Sequence, residues 1–252
     1  MMVVREDRGA IAVLRMAHGR ANALDPEILG ALSAALEAAT DASAVVLTGS
    51  GPMFSAGVDL KRLAVAGPDY PGALIPALVD AFARLFYHPR PVVAAVNGHA
   101  VAGGCVLACA ADRRVAARGG ARLGVTELLL GVPFPAIALE IMRGVLPARH
   151  LAEMIYGGRT LGVEDALARG LVDAAIEPGA LLDAAVAEAE ALAAIPAASF
   201  TLTKAQLRQP TRDFLARHAA RIDDEALACW SAPPAQAAIR RYVEKSLGGG
   251  RR

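Results

Sequence analysis

Two stretches of this chain hold residue types and spacings suited to chemistry. The first, Val92 to Val106, reads Val-Val-Ala-Ala-Val-Asn-Gly-His-Ala-Val-Ala-Gly-Gly-Cys-Val. Its opening five residues form a short apolar run between Pro91 and Asn97-Gly98, the pattern of a buried strand. Gly103-Gly104 then opens a second apolar run, Cys105 to Ala111, long enough for two turns of buried helix. Strand, small-residue loop, Gly-Gly and helix bring bare backbone N–H groups to a helix N-terminus, which attracts negative charge through its unpaired donors and its dipole. The chemistry on offer is the holding of an oxyanion. The same pattern also suits a tight strand–helix crossing that needs glycine only for room. The second stretch, Gly124 to Gly131, sets a single carboxylate, Glu127, among apolar residues.

The elements that must position these stretches carry their own signals. Val3–Val4 and Ala10 to Arg15 flank the turn-like Asp7-Arg8-Gly9 and read as two antiparallel strands. After the polar loop His18 to Asn22, Asp25 can cap a helix, Pro26 suits its first position, and Glu27 faces the positive end of the dipole. Leu29, Leu32, Leu36 and Ala39 continue at helical spacing. Ala44 to Leu47 reads as a strand, Thr48 to Pro52 as a loop, and Ile75 to Phe86 as a helix ending before Pro89. A strand is expected near Arg114 to Ala116 and another at Val172 to Ile176. From Ala136 the pattern is mostly helical, with a run of helices from Leu181 to Leu247 and a frayed tail at Gly248 to Arg252.

With 252 residues, 55% hydrophobic but only 4% aromatic, the chain builds its core from Ala, Val and Leu. A net charge of +1 without long like-charge runs gives no electrostatic support for a nucleic-acid or anionic-membrane partner. Cys105, Cys109 and Cys229 lack paired zinc or redox spacing and fit reduced, buried thiols of a cytoplasmic protein. Arg5 to Arg8 interrupt the N-terminus before a secretory signal could form. Asn97, Gly98 and His99 break the one segment long enough to suggest a membrane span. There is no dinucleotide-binding Gly-x-Gly-x-x-Gly after a strand, no phosphate loop, no Gly-x-Ser-x-Gly elbow and no metal spacing.

Three segments in register, His18 to Leu24, Phe54 to Leu60 and Val96 to Gly131, resemble the crotonase (enoyl-CoA hydratase/isomerase) superfamily over roughly residues 10 to 195. The resemblance implies an α/β fold, a spiral of β-β-α units. It also implies a helical C-terminal region, about 196–252, used for oligomerisation into a trimer or a dimer of trimers. The partner it implies is an acyl-CoA thioester; coenzyme A is then part of the substrate, and no separate cofactor or metal is expected. Backbone N–H groups of Val58 and Gly103 would point at the thioester oxygen. Two such donors aimed at a developing enolate contribute on the order of 3 kcal/mol each in a dry site. The implied substrate-binding set is Ala21, Ala23, Ala56, Val58, Asp59, Leu60, Lys61 and Gly103. Within it, Ala21 to Leu24 would line the groove for the pantetheine arm. Lys61 matches a position near the CoA phosphates or is a solvated surface lysine, and Asp59 caps the next helix. Phe82, Phe86 and Tyr87 are candidates for the acyl wall, or core residues.

Hydratases of this family carry two glutamates. Here the first position aligns with Val106, which cannot hold or orient a water, whereas the second aligns with Glu127. Desolvation by Val125, Leu128 and Leu129 would raise the Glu127 pKa and strengthen it as a base. One base and an oxyanion hole suffice for a 1,3-proton shift, and Ala102-Gly103-Gly104-Cys105-Val106 matches the pattern of mitochondrial-type enoyl-CoA isomerases. The expected activity is therefore conversion of a 3-enoyl-CoA to a 2-enoyl-CoA. The alternatives are hydration, thioester hydrolysis, decarboxylation, or an inactive CoA-binding homologue. Glu140 could supply a second carboxylate, but its surroundings read as an amphipathic helix with the charge outward.

Overall fold

The architecture comes from a computed structural model that describes residues 1–246. In chain order it runs β1 (Val3–Arg8), β2 (Ile11–Met16), α1 (Pro26–Ala38), β3 (Ala44–Thr48), β4 (Met53–Ser55), α2 (Leu60–Ala66) and α3 (Pro71–Phe86). There follow β5 (Val92–Val96), β6 (His99–Val101), α4 (Gly103–Ala110), β7 (Arg113–Ala117), β8 (Leu123–Gly124) and a 3-10 turn at Glu127–Leu130. The remainder is α5 (Ala136–Val145), α6 (Ala148–Gly157), β9 (Thr160–Leu161), α7 (Val163–Ala168), β10 (Ala174–Ile176), α8 (Leu181–Ala193), α9 (Ala197–Ser231) and α10 (Pro233–Ser246). The tail expected at Gly248 to Arg252 lies outside the described residues.

The strands form two sheets, ordered β1-β2-β3-β5-β7-β10 and β4-β6-β8-β9. Each of the pairs β3/β4, β5/β6 and β7/β8 gives its first strand to the larger sheet and its second to the smaller, then passes into helix. This is the spiral of β-β-α units. From β2 to β10 the larger sheet is parallel, and only β1 runs antiparallel to its neighbour. Parallel strands covered on both faces read as unbroken apolar runs. Thus Val92, Ala94 and Val96 face the main core, while Val93 and Ala95 face a second cluster closed by Leu181, Ala185 and Ala189 of α8.

Several boundaries differ from the sequence expectation. Asp7 and Arg8 remain in β1, paired with Ala12 and Ile11, so the turn is Gly9-Ala10. The loop expected before Gly103 contains β6, which pairs with β4 across a bulge. The helix expected from Ile75 starts at Pro71 instead, a residue suited to the first position, and carries Pro76 inside. The strand expected from Val172 begins at Ala174. At α1 the capping expectation holds, with Asp25 accepting from Ile28 N at 2.9 Å.

Candidate active site

The loop bearing Val58 is fixed from both sides. Asn22, wholly buried at φ +44°, donates from its amide to Met53 O (3.0 Å) and Phe54 O (3.2 Å). Its Oδ1 accepts from His18 N at 2.9 Å, and its carbonyl accepts from the Ser55 hydroxyl at 2.7 Å. Leu24 N then donates to Gly57 O (2.8 Å) and Asp59 N to Leu24 O (3.0 Å), which makes a parallel bridge between Leu24 and Val58. Pairing of this kind turns the Val58 N–H away from Leu24, and among the described residues it has no acceptor. The preceding Gly57 sits at φ +78°, and a Cβ there would stand 2.7 Å from Val101 O and 3.0 Å from Gly103 N. Only glycine lets the two loops approach this closely.

The other loop ends in strain. Ala102 holds φ +52° and ψ −129° as the N-cap of α4. A non-glycine residue there costs on the order of 1–3 kcal/mol, and the conformation is held by Ala102 N to Gly124 O at 2.8 Å. The Ala102 carbonyl takes Cys105 N and Val106 N, so the Gly103 N–H, in the first helical turn, is left without an intramolecular acceptor. The two glycines differ in what they do locally. At Gly104 a Cβ would lie 2.3 Å from Ser55 O, a close helix–strand crossing; Gly103 supplies the free donor. A side chain at Gly103 would meet Leu24 Cδ1 at 3.1 Å and Phe82 Cζ at 3.7 Å, so it would press first on protein groups.

Val58, Gly103 and Glu127 line one cavity of about 140 Å³, together with Ala56, Leu60, Phe82, Val106 and Trp230 among others. Glu127 is the only carboxylate among the lining residues, is 8% exposed, and its Oε2 has no hydrogen-bond partner. Burial raises its pKa to about 7 against the opposing pull of backbone N–H groups at Glu127 and Thr126. Of the three residues expected to desolvate it, Val125 is fully buried but the two leucines are not. Leu128 and Leu129 are exposed, with Leu129 at the cavity rim, and the dry surroundings come from the cavity wall. Val106, 1% exposed, belongs to that wall.

Ala56 and Leu60 line the cavity, but Ala21, Ala23, Asp59 and Lys61 do not. Ala21 accepts Ala56 N through its carbonyl (3.0 Å), which holds the Val58 loop in place, and Asp59 caps α2 by accepting Arg62 N at 3.0 Å. Lys61 is exposed. Of the three wall candidates only Phe82 contributes; Phe86 and Tyr87 pack elsewhere, each under an arginine of α9. Glu140 is buried, not outward; it pairs with Arg143 one turn on at 3.0 Å and lies outside the cavity. Cys105 and Cys109 are buried as expected, but Cys229 is exposed. Sequence reading missed Trp230 and Tyr242, which reach the cavity from α9 and α10. The one available signal was that Trp230 is the sole tryptophan of an aromatic-poor chain. Among the described residues no acidic, His or Cys cluster could hold a metal ion, and no helix is long and apolar enough to cross a membrane.

Comparison with known proteins gives a consistent result. Residues 6–247 match the family profile for enoyl-CoA hydratase/isomerase. A putative enoyl-CoA hydratase of Thermus thermophilus is 37% identical over 209 residues, spanning 80% of this chain and 82% of that protein. The probable enoyl-CoA hydratase EchA17 of Mycobacterium tuberculosis is 34% identical over 189 residues, spanning 72% of this chain and 70% of that protein. Among solved structures, human mitochondrial delta3-delta2-enoyl-CoA isomerase superposes with a TM-score of 0.94 at 26% identity, covering 100% of both chains. An enoyl-CoA isomerase of M. tuberculosis superposes with a TM-score of 0.80 at 32% identity, covering 90% of this chain and 97% of that one.

Proposed function

The chain belongs to the enoyl-CoA hydratase/isomerase family, and within it we propose that it shifts the double bond of a 3-enoyl-CoA to the 2-position. The observation that carries this reading is the cavity's single carboxylate: Glu127 stands in a dry pocket where Val106 leaves no second carboxylate to activate water. In the proposed reaction the thioester oxygen lies against the N–H groups of Val58 and Gly103. Glu127 removes a proton from C2, and the electron pair moves into the carbonyl to give a dienolate. The same carboxyl then returns the proton at C4 as the pair flows back, so the double bond passes from C3–C4 to C2–C3 with no net change in atoms. A base whose conjugate acid titrates near 7 suits both transfers at neutral pH. Donors already fixed in place stabilise the dienolate without reorganising. The reaction needs no cofactor beyond the CoA carried by the substrate.

The C-terminal helices remain candidates for assembly into trimers, since Leu202 and Leu207 of α9 present exposed apolar surface.

A second reading, hydration of a 2-enoyl-CoA, is favoured by the names of the Thermus and mycobacterial relatives. A side-by-side assay of 2-enoyl and 3-enoyl thioesters in heavy-oxygen water separates the two. The proposal expects the 3-enoyl substrate to be converted without label entering the product. Faster turnover of crotonyl-CoA with one labelled oxygen incorporated would replace it with hydration.

A further inference from the structure

One wall of the cavity comes from α9. Trp230 is 3% exposed and lines the cavity, and it is held at both ends. Its indole N–H donates to Pro133 O at 2.9 Å, and its carbonyl accepts the Gln236 side-chain amide at 2.8 Å. Asp223, on the same helix, accepts Ala136 N through Oδ1 at 2.7 Å. Helix α9 thus grips the 133–136 segment at two points that flank Phe134 and Pro135, which both line the cavity. A large side chain fixed this way does not swing aside as a free rotamer would. The residues at the rim are different in kind: Leu129 is 65% and Tyr242 44% exposed. The cavity volume of about 140 Å³ is close to that of a dry protein cavity of about 150 Å³ that takes one benzene, a group of six carbons.

We propose that Trp230 is the end-stop of the acyl pocket and confines the enzyme to short-chain acyl groups, of about four to six carbons by that volume. The inference rests on the reading that the cavity receives the acyl part of a CoA thioester. It makes Trp230 a specificity-determining residue supplied by the same chain whose spiral holds Glu127. Chain length is then set by α9, some hundred residues beyond the base in sequence.

Saturated acyl-CoAs of increasing length test this directly, because they have no double bond to move or hydrate. Calorimetric titration of the full chain should show affinity rising about fourfold for each methylene that enters the dry wall, with the rise stopping near six carbons. In Trp230→Ala the stop should move outward by three carbons or more. In Trp230→Phe, which keeps an aromatic ring and loses the donor to Pro133, it should move by one at most. Because the chain has one tryptophan, intrinsic fluorescence reports on this residue alone and requires no variant. Its emission should change progressively with acyl length up to the same stop. An affinity that keeps rising to twelve carbons in the wild type, or emission indifferent to acyl length, overturns the inference. So does a stop that stays in place in a folded Trp230→Ala. Failure of free CoA and every acyl-CoA to bind would instead remove the acyl-CoA reading itself.

Discussion

Two carboxylates, the buried Glu127 and the part-buried Asp112, differ in what surrounds them. Asp112, whose side chain is 13% exposed, sits before β7 and is saturated with donors. Lys204 Nζ and Arg208 Nη2 of α9 each lie 2.7 Å from it, and Val92 N donates at 2.8 Å. One carboxylate therefore ties α9 to the start of β5, and the Arg208 guanidinium also stacks 4.1 Å over Phe86. Glu127 is more deeply buried, and among the described residues its Oε2 has no partner. Burying a charge without pairing costs stability. Glu127 lines a cavity that it shares with the free backbone N–H groups of Val58 and Gly103.

The largest expected effect tests the unpaired member. Glu127→Gln removes the base and keeps the shape, so kcat for the proposed isomerisation should fall by about 10² to 10⁴-fold, the usual range for one general base. Its thermal midpoint at pH 8 should match or exceed the wild type, since a buried charge has been removed. A variant that remains active shows that the proton shuttle is elsewhere. The opposite outcome is expected at the paired carboxylate. Asp112→Ala strands Lys204 and Arg208 as buried cations and should cost on the order of 3–5 kcal/mol in denaturant unfolding. Chain-length selectivity in the surviving folded fraction should blur as α9 loosens. If Asp112→Ala proves as mild as Glu127→Gln, the contrast between the two sites collapses.

Titration separates the two sites next. Glu127 titrates near 7 when folded, against an ordinary 4.5 when unfolded. Below about pH 4.5 it is protonated in both states and carries no penalty. Between 4.5 and 7 the folded chain holds a proton that the unfolded chain has released, so this group's contribution to stability falls as pH rises. The loss amounts to about 3 kcal/mol by the end of that window. The difference between wild-type and Glu127→Gln unfolding curves across pH isolates it. Activity should run the other way: kcat/KM rises with pH and levels off above about 7, because the carboxylate is the active form. A flat difference curve, or an activity limb centred near 4.5, would mean that Glu127 is solvated.

Both sites were unequally legible in the sequence. Val92–Val96 was readable because a strand covered on both faces shows as an unbroken apolar run. β6 was not, since three residues after a glycine carry no period, and its ladder with β4 exists only in three dimensions. Val58, Gly103 and Glu127 could be named through motifs in register, and the cavity does bring them together. Ala21 and Asp59 lie in the same motifs but support the loops through backbone and capping bonds, a distinction no residue type announces. Glu140 misled because an amphipathic pattern does not show which charged position a neighbouring element covers: Glu140 is buried while its partner Arg143 stays largely exposed. Trp230 and the Asp112 cluster were out of reach, for each depends on α9 crossing residues about a hundred positions away.

The smallest expected effect probes the paired site from the cation's side. Burial outweighs the attraction of Asp112 and lowers the Lys204 pKa to about 8 from 10.5, so the ammonium is held at a net electrostatic cost. Lys204→Met keeps the unbranched stem, removes that cost, and leaves Asp112 with Arg208 and Val92 N. Its stability at pH 7 should stay within about 1 kcal/mol of the wild type, in either direction. The pH signature is more telling than the size. Between pH 8 and 10.5 the unfolded chain keeps a proton that the folded wild type has lost, so Lys204 makes stability rise with pH, and the Met variant should lack that rise. A loss of several kcal/mol in Lys204→Met would show that the cation, more than the carboxylate, holds α9 to the sheet.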